Sequence, residues 1–302
     1  MKKTFKILSI LTLLCLLANT IKAQNAEYIT YASFNIRMDA KSDNENNWEY
    51  RKDSIINFIK AENLDIFGMQ EVLPKPLKFL KKRLKKDYSY VGVGREDGKN
   101  KGEHTPIFYN KKRFSLIKHG DFWLAQNPNK AGMLGWDAAC PRIVTWAKFH
   151  DNTTNNDIMV VNTHFDHVGI EARRNSAYLI MDSIKAIAGE IPVIMSGDFN
   201  VTDTSEAYQI MTSQKYVMND SHKIAKEQIG NQNTFHNFGR IAPADQKKID
   251  FIFVNNAFDV LSSYIPYETR KDDLNNNKQP FYLSDHNPVI VKLKIKEVKD
   301  NK

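Results

Sequence analysis

The chain has 302 residues, with 43 lysine and arginine residues against 35 aspartate and glutamate residues, and a formal net charge of +8. Hydrophobic residues make up 42% and charged residues 26%, an ordinary globular composition that excludes a disordered, collagen-like or coiled-coil protein. Two cysteines exclude a disulfide-dense scaffold and a multi-cysteine zinc site.

The N-terminal segment has the layout of a secretory signal peptide. A lysine-rich start precedes residues 7–17, an apolar run too short to span a bilayer comfortably, and residues 18–23 are more polar and end in a small residue. We predict cleavage after Ala23 and export to the periplasm or the exterior, with an uncleaved anchor as the alternative. Cleavage would remove four lysines and lower the net charge to +4, which gives only weak support for a nucleic-acid ligand.

Short apolar segments recur along the rest of the chain and predict strands. They are residues 29–36, 64–69, 143–149, 158–163, 191–195, 249–254 and 288–295. Several are almost continuously apolar, which favours strands covered on both faces. Apolar stripes at spacings of three and four predict helices over residues 53–61, 77–84 and 172–188. The alternation predicts one α/β domain over residues 24–302, with two packed sheets and helices outside them.

Polar side chains cluster where five of the predicted strands end. The clusters are residues 33–35, 68–71, 162–167, 196–200 and, together with Asp250, 284–286. Each cluster alone has a structural explanation, such as a tight turn or a helix start. Five in one chain are hard to attribute to unrelated causes, because polar groups at the ends of apolar strands are costly to bury without partners. If the strands are neighbours, the clusters converge, as functional sites usually do.

The residue types in these clusters favour a hard divalent metal. Glu71, Asp198 and Asp285 offer carboxylate oxygens, and Asn35 and Asn200 offer amide oxygens. Such ligands suit Mg²⁺ or Mn²⁺ rather than zinc, and Mg²⁺ is usually held by one or two carboxylates and substrate phosphate oxygens. Histidines in the same clusters suit proton transfer and charge stabilisation. The sequence has no Gly-rich phosphate loop, Gly-x-Ser-x-Gly elbow or His-Glu-x-x-His motif, which weakens the case for nucleotide-driven transfer or serine hydrolysis.

In order and spacing, six of these motifs resemble the endonuclease/exonuclease/phosphatase superfamily. They are Asn35, Gln70-Glu71, Asn162-Thr163-His164, Gly197-Asp198-Phe199-Asn200, Asp250 and Ser284-Asp285-His286. The resemblance covers about residues 28–296. It implies a deoxyribonuclease I-like four-layer α/β sandwich, in which helices flank two packed mixed β-sheets. It also implies Mg²⁺-dependent hydrolysis of a phosphate ester.

The resemblance implies a role for each carboxylate. Glu71 would be the main metal ligand, assisted by Asn35 and Asp285. Asp198 would orient or deprotonate the attacking water and would also be a candidate ligand for a second metal ion.

The same resemblance implies the groups that contact phosphate. Asn200 would donate to a phosphate oxygen, and His286, held by Asp250, would contact the scissile phosphate. His164 would be the second phosphate-facing histidine. A carboxylate beside a histidine favours the imidazolium form, which can neutralise charge that develops on phosphorus.

Residues 120–142 are the most distinctive stretch of the sequence. We interpret them as a wall of the site that sets substrate choice, in which Trp136 stacks on a base or sugar and Arg142 holds a second phosphate. The alternative is a loop that packs its own aromatic residues. Asp166 and His167 extend the histidine motif and either bind substrate or hold their own loop.

Two further stretches are candidates for the border of the site. Glu103-His104 precedes a β-like run and either faces the cleft or has a structural role, and residues 234–238 are also placed at the cleft border.

The leading hypothesis is an exported, Mg²⁺- or Mn²⁺-dependent phosphoesterase that uses in-line attack by an activated water. The substrate is a phosphodiester, as in a nuclease, or a phosphomonoester. Alternatives are a sugar- or inositol-phosphate phosphatase and a sphingomyelinase-like phospholipase, so nucleic acid, sugar phosphates and phospholipid head groups all remain candidate substrates. A non-catalytic binding module on the same fold is the alternative from another class, although Glu71, Asp198 and His286 are all retained. We expect a monomer without an obligate protein partner.

Overall fold

The computed structural model describes residues 27–216, 218–266 and 282–297. The predicted signal peptide lies outside these ranges, so its cleavage stays a prediction. Within the described ranges, none of the helices combines the length and the apolar character needed to cross a bilayer.

The described residues contain thirteen strands, which form two sheets. In chain order they are β1 (Ile29–Asn35), β2 (Ile66–Gln70), β3 (Tyr88–Val91), β4 (Ile107–Asn110), β5 (Phe114–Trp123), β6 (Ile143–Asp151), β7 (Asn156–His164), β8 (Val193–Asp198), β9 (Met218–Asp220), β10 (Glu227–Gly230), β11 (Asp250–Asn255), β12 (Phe258–Ile265) and β13 (Val289–Ile295). The first sheet has the order β10-β12-β13-β1-β2-β4-β3, and the second has the order β5-β6-β7-β8-β11-β9. Both are mixed, since β1 is parallel to β2 but antiparallel to β13, and β8 is parallel to β7 but antiparallel to β11.

The described helices lie outside these sheets. They are α1 (Trp48–Ala61), α2 (Pro74–Leu84), α3 (Ile170–Ala188), α4 (Glu206–Met211) and α5 (Ser221–Ile224), with two short 3₁₀ segments at Lys41–Asn46 and Pro243–Asp245. Helix α1 begins five residues earlier than predicted, because the Asn47 side chain caps it by accepting the Glu49 N–H at 3.0 Å. Helix α2 begins at Pro74, whose fixed φ and missing N–H suit a first helical position.

Three clusters of buried apolar side chains hold the sheets and helices together. Residues on one face of each central strand, such as Tyr31 and Ile194, pack between the two sheets. Their chain neighbours face the opposite way, because side chains alternate along a strand: Ala32 packs with α1 and α2, and Met195 packs with α3 and α4. All six residues of β8 are buried, as the continuous apolar pattern predicted. The predicted architecture, two packed mixed sheets flanked by helices, is confirmed.

Strand β5 was not predicted, although its ten residues make it the longest of the described strands. It is an edge strand of the second sheet, and residues 115–119 are exposed. An edge strand in solvent needs no apolar face and often carries charge instead. Its sequence therefore lacks the alternation that identifies a strand.

Candidate active site

The register of the central strands brings the predicted polar clusters together. Asn35 at the end of β1 pairs with Gln70 at the end of the parallel strand β2. In the second sheet, Asp198 lies between His164 of the parallel strand β7 and Asp250 of the antiparallel strand β11. The carboxyl ends of β1, β2, β7 and β8 and the first residue of β11 thus meet at one edge of the sandwich.

A cleft of about 490 Å³ opens at this edge. From the predicted site its lining includes Glu71, His164, Asp198, Asn200, Asp285 and His286. Asn35 and Asp250 are fully or almost fully buried and bond to lining residues, so they support the cleft from beneath.

Asn35 connects the two sheets through their carboxylates. Its Nδ2 donates to Glu71 Oε1 at 3.1 Å and to Asp198 Oδ2 at 3.0 Å. Its Oδ1 accepts the backbone N–H of Arg37 at 3.0 Å, and the Met38 N–H donates to Glu71 Oε2 at 2.9 Å. In this arrangement Asn35 orients the carboxylates, and its predicted role as a metal ligand stays a prediction.

Glu71 and Asp285 are the carboxylates best suited to a divalent cation. Arg37 lies between them, 3.9 Å from an oxygen of each, which is too far for a hydrogen bond. Burial raises the pKa of Asp285, and the nearby Glu71 adds to this, whereas His286 and Arg37 oppose it. A cation would relieve this repulsion, so the donor set fits Mg²⁺ or Mn²⁺. When bound, such an ion polarises a phosphoryl oxygen and lowers the pKa of its water.

Asp198, Asp250 and His286 form a second buried group, with one potential ligand atom from each within 4.8 Å of the others. His286 Nδ1 bonds to Asp250 Oδ2 at 2.8 Å, and His286 Nε2 lies 3.8 Å from Asp198 Oδ2. Burial alone would lower the pKa of His286, but Asp250 and Asp198 raise it well above its ordinary value. These atoms are close enough together to share one ion, so the roles of Glu71 and Asp285 as metal ligands and of Asp198 as a ligand for a second ion stay predictions.

Asp198 has the environment of a general base. Burial, followed by the charge of Asp250, raises its pKa to about 7, against the lowering effect of His286 and Asn35. Its Oδ1 accepts the Asn200 backbone N–H at 2.9 Å, which fixes the carboxylate. A group with a pKa near neutrality is well matched to taking a proton from water.

His164 lies on the other side of Asp198. Its Nε2 is 3.6 Å from Asp198 Oδ2 and 3.0 Å from Asn200 Nδ2, and its Nδ1 is 3.8 Å from Glu103 Oε2. Burial, and then the charges of Arg142 and Arg95, lower the pKa of His164 well below its ordinary value. His164 is therefore neutral near pH 7.

The wall next to His164 contains Arg95, Glu103, Cys140, Arg142 and His167. Glu103 faces the cleft, whereas Nδ1 of the adjacent His104 bonds to the carbonyl oxygen of Val72 at 3.1 Å. Arg37 and Arg95 were not singled out in the sequence. A single arginine in a loop forms no recognisable motif. For Arg37, the only signal of a place in the site was that it follows Asn35 by two positions.

Asp166 holds its own loop. It is buried, and its carboxylate accepts backbone N–H groups of Ala139, Val168 and Gly169 at 3.1, 2.9 and 2.8 Å. Burial opposes ionisation, but these donors lower the pKa of Asp166 to about 2. Two of these contacts lie within its own loop and the third joins that loop to residues 120–142, so a substrate-binding role for Asp166 stays a prediction.

Residues 120–142 contribute Cys140 and Arg142 to the cleft lining, whereas Trp136 lies outside it. Trp123 packs within the segment and donates from Nε1 to the Arg95 carbonyl oxygen at 2.6 Å. Phe235 and Asn237, from the predicted border, also line the cleft.

Several residues around the cleft have strained backbones. Five non-glycine residues there have positive φ values between 49° and 60°: Arg37, Glu71, Asn200, Asn237 and Phe238. Such conformations cost energy and persist where the surrounding structure imposes them, which is common at functional sites.

The Endonuclease/Exonuclease/phosphatase family model matches residues 32–286, which include every predicted metal and catalytic residue. The chain belongs to this family and is a hydrolase that acts on phosphoester bonds.

Two solved structures and one sequence relative are similar to this chain. An endonuclease/exonuclease/phosphatase from Bacteroides vulgatus is 49% identical, with a TM-score of 0.84 and coverage of 89% of this chain and 99% of that one. The mannosyl-6-phosphatase of Bacteroides thetaiotaomicron VPI-5482 is 35% identical, with a TM-score of 0.82 and coverage of 88% and 99%. An uncharacterized protein of Acanthamoeba polyphaga mimivirus is 28% identical over 260 residues, which is 81% of this chain and 91% of that protein. The predicted family and fold are confirmed.

Proposed function

We propose that this protein is an exported, Mg²⁺- or Mn²⁺-dependent phosphatase that hydrolyses a phosphomonoester of a sugar. The observation that carries the proposal is a cleft of about 490 Å³ whose lining brings together His286, Asp198, Glu71 and Asp285. This volume lies within the range of about 300–1,000 Å³ typical of small-molecule sites. The similarity to a mannosyl-6-phosphatase supports the sugar phosphate as the substrate class.

The residues of the cleft divide the work of hydrolysis. Asp198 accepts the proton of the attacking water, and Asn35 and the Asn200 N–H hold its carboxylate in place. His286, kept protonated by Asp250, donates to a phosphoryl oxygen as negative charge develops. Glu71 and Asp285 would hold the metal, which would supply further stabilisation of the same charge.

The second candidate is hydrolysis of a phosphodiester, as in a nuclease. Three cleft arginines, Arg37, Arg95 and Arg142, favour a substrate with more than one phosphate. The expected net charge of +4 after cleavage gives this alternative little further support.

Phosphate release by the purified protein in Mg²⁺ tests the proposal. We expect release from mannose 6-phosphate, little cleavage of a single-stranded oligonucleotide, and loss of activity in Asp198→Asn. Oligonucleotide cleavage without release of phosphate from sugars would instead establish the nuclease. Failure to hydrolyse any phosphate ester, in a folded and metal-supplied preparation, would refute both.

Export and oligomeric state are separate parts of the proposal. We expect the mature chain to begin near Gln24 and to elute as a monomer in size-exclusion chromatography. N-terminal sequencing of protein recovered outside the cytoplasm checks the first point, and a chain that still begins at Met1 would contradict it.

A further inference from the structure

We propose that Arg95 and Arg142 form an anion-binding subsite beside the catalytic centre, which takes a second acidic group of the substrate, a phosphate or a carboxylate. The inference rests on the proposed function, because it assumes that the scissile phosphate binds between His286 and the metal carboxylates. The subsite narrows the proposed substrate class to sugar phosphates that carry a second acidic group.

Arg142 is buried but incompletely paired. It lines the cleft and is only 4% exposed, and its Nη1 has no hydrogen-bond partner among the described residues. Its Nη2 lies 3.0 Å from His167 Nδ1. A buried guanidinium N–H without a partner is costly, and an anionic oxygen in the cleft would satisfy it.

Asp166 does not fully neutralise Arg142. The Arg142 Nε lies 3.5 Å from Asp166 Oδ2, a long contact for an ion pair. The same carboxylate already accepts the backbone N–H groups of Val168 and Gly169 in its own loop and of Ala139 in the 120–142 segment. Positive charge on Arg142 therefore remains available to a ligand.

Arg95 presents a second guanidinium on the same wall. Its Nη1 pairs with Glu103 Oε2 at 2.8 Å, while its Nε is buried and has no partner among the described residues. Glu103 Oε2 makes no well-aligned hydrogen bond among the described residues, so its pairing with Arg95 is one of proximity and leaves the guanidinium able to bind an anion. The hydrogen bond from Trp123 Nε1 to the Arg95 carbonyl oxygen holds the backbone of Arg95 in place, and this limits where its guanidinium can lie.

The subsite is separated from the expected position of the reacting phosphate by His164 and Glu103. His164 is 3.6 Å from Asp198 on one side and 3.8 Å from Glu103 on the other, and Glu103 in turn contacts Arg95. The arginines thus lie beyond His164 from the water-activating carboxylate. This separation suits a second group of the same small molecule, and two planar guanidinium groups match the oxygens of a phosphate or a carboxylate.

Binding without turnover is the first test. In EDTA, isothermal titration calorimetry would compare fructose 6-phosphate with fructose 1,6-bisphosphate, and glucose 6-phosphate with 6-phosphogluconate. We expect the doubly anionic member of at least one pair to bind roughly tenfold more tightly, as an added charge-assisted contact allows. Whether the bisphosphate or the carboxylate shows the gain identifies the second group. Equal affinities within both pairs would overturn the subsite.

Substitutions assign the preference to the two arginines. Arg142→Gln and Arg95→Gln should each remove most of the tighter binding of the doubly anionic compound, whereas Arg142→Lys should retain part of it. Arg174→Gln, on the exposed face of α3, is the matched control and should change nothing. If Arg142→Gln fails to fold in a melting experiment, Arg95→Gln alone decides.

Steady-state kinetics then separates this subsite from a role in chemistry. With Mg²⁺, Arg142→Gln should raise KM for the doubly anionic substrate roughly tenfold and change kcat by less than about threefold. An equal loss of kcat on singly and doubly anionic substrates would place Arg142 on the scissile phosphate and overturn the inference. If the binding preference holds but no sugar phosphate is hydrolysed, the proposed function fails while the subsite stands.

Discussion

His286 and His164 approach the same oxygen of Asp198 from two sides, at 3.8 and 3.6 Å, yet their electrostatic surroundings are opposite. His286 bonds to the buried carboxylate of Asp250, and its pKa is raised well above the ordinary value despite burial. His164 is buried near Arg142 and Arg95, and its pKa is lowered.

The comparison shows that distance to Asp198 does not determine what each histidine does. The far nitrogen of His286 bonds to the Asp250 carboxylate, which outweighs burial and raises the pKa of the ring. The far nitrogen of His164 has only a distant carboxylate, Glu103 at 3.8 Å, so burial, followed by the charges of Arg142 and Arg95, lowers its pKa. The imidazolium of His286 can neutralise charge in the transition state, whereas neutral His164 can only orient groups through hydrogen bonds. A site that looks symmetrical by residue type is therefore functionally asymmetrical.

The largest expected effect comes from removing the metal ion, on which both sides of the site depend in the proposed mechanism. Chelation by EDTA should abolish phosphate release, because Glu71 and Asp285 are hard oxygen donors for a cation that supplies much of the charge stabilisation. Mg²⁺ or Mn²⁺ should restore the activity, as measured by a phosphate-release assay. Full activity in a rigorously metal-free preparation would show that the histidines act without a metal.

The next largest effects come from substituting the two histidines and Asp198, which tests the difference between the histidines directly. His286→Ala should lower kcat at least roughly a hundredfold, the scale of a single charge-stabilising group, and Asp198→Asn should do the same as a lost general base. His164→Ala should cost less, roughly tenfold, because a neutral ring contributes orientation alone. Circular dichroism controls for folding. Equal losses in His164→Ala and His286→Ala would mean that the two rings have equivalent roles.

Asp250→Asn sharpens the same comparison with a smaller expected effect. An amide keeps the shape and a bond to His286 Nδ1, but it removes the negative charge that favours the imidazolium. We expect kcat to fall about tenfold to fiftyfold, less than for loss of the ring itself. The matched change on the other side, Glu103→Gln, should leave kcat within about threefold, because Glu103 lies 3.8 Å from His164 and leaves that ring neutral. A larger loss of kcat in Glu103→Gln than in Asp250→Asn would mean that His164, and not His286, carries the catalytic charge.

Sequence alone predicted the part of the site that consists of residues adjacent to strand ends. Asp198, Asn200 and His286 lie next to apolar segments, so the pattern that predicts each strand also predicts their position. The motif order then connected them to a family. The fold followed from the same apolar segments, apart from β12, which lies inside the first sheet, and edge strands such as β5, whose exposed residues have no periodic pattern.

Long-range contacts determined what the sequence could not predict. Arg95 reaches the cleft because its backbone N–H bonds to the Glu103 carbonyl oxygen at 3.0 Å and its carbonyl oxygen bonds to Trp123. Arg51, inside α1, is fully buried and donates to carbonyl oxygens of Ile36 and of Leu283, which lies 232 positions away. It thereby ties the loop after Asn35 to the loop that contains Asp285. No local pattern encodes either contact.

The smallest expected effect concerns Trp136, which the sequence suggested as a stacking platform. The structure places its neighbours Cys140 and Arg142 in the cleft lining but leaves Trp136 outside it, half-buried and with φ of 50°. An aromatic ring that does not face the cleft can affect the substrate only through the position of its loop. We therefore expect Trp136→Ala to change kcat/KM by less than about threefold on every substrate, while Arg142→Gln changes the ranking among them. A selective rise in KM for one sugar phosphate in Trp136→Ala would show that the segment closes over the substrate and brings this ring into contact with it.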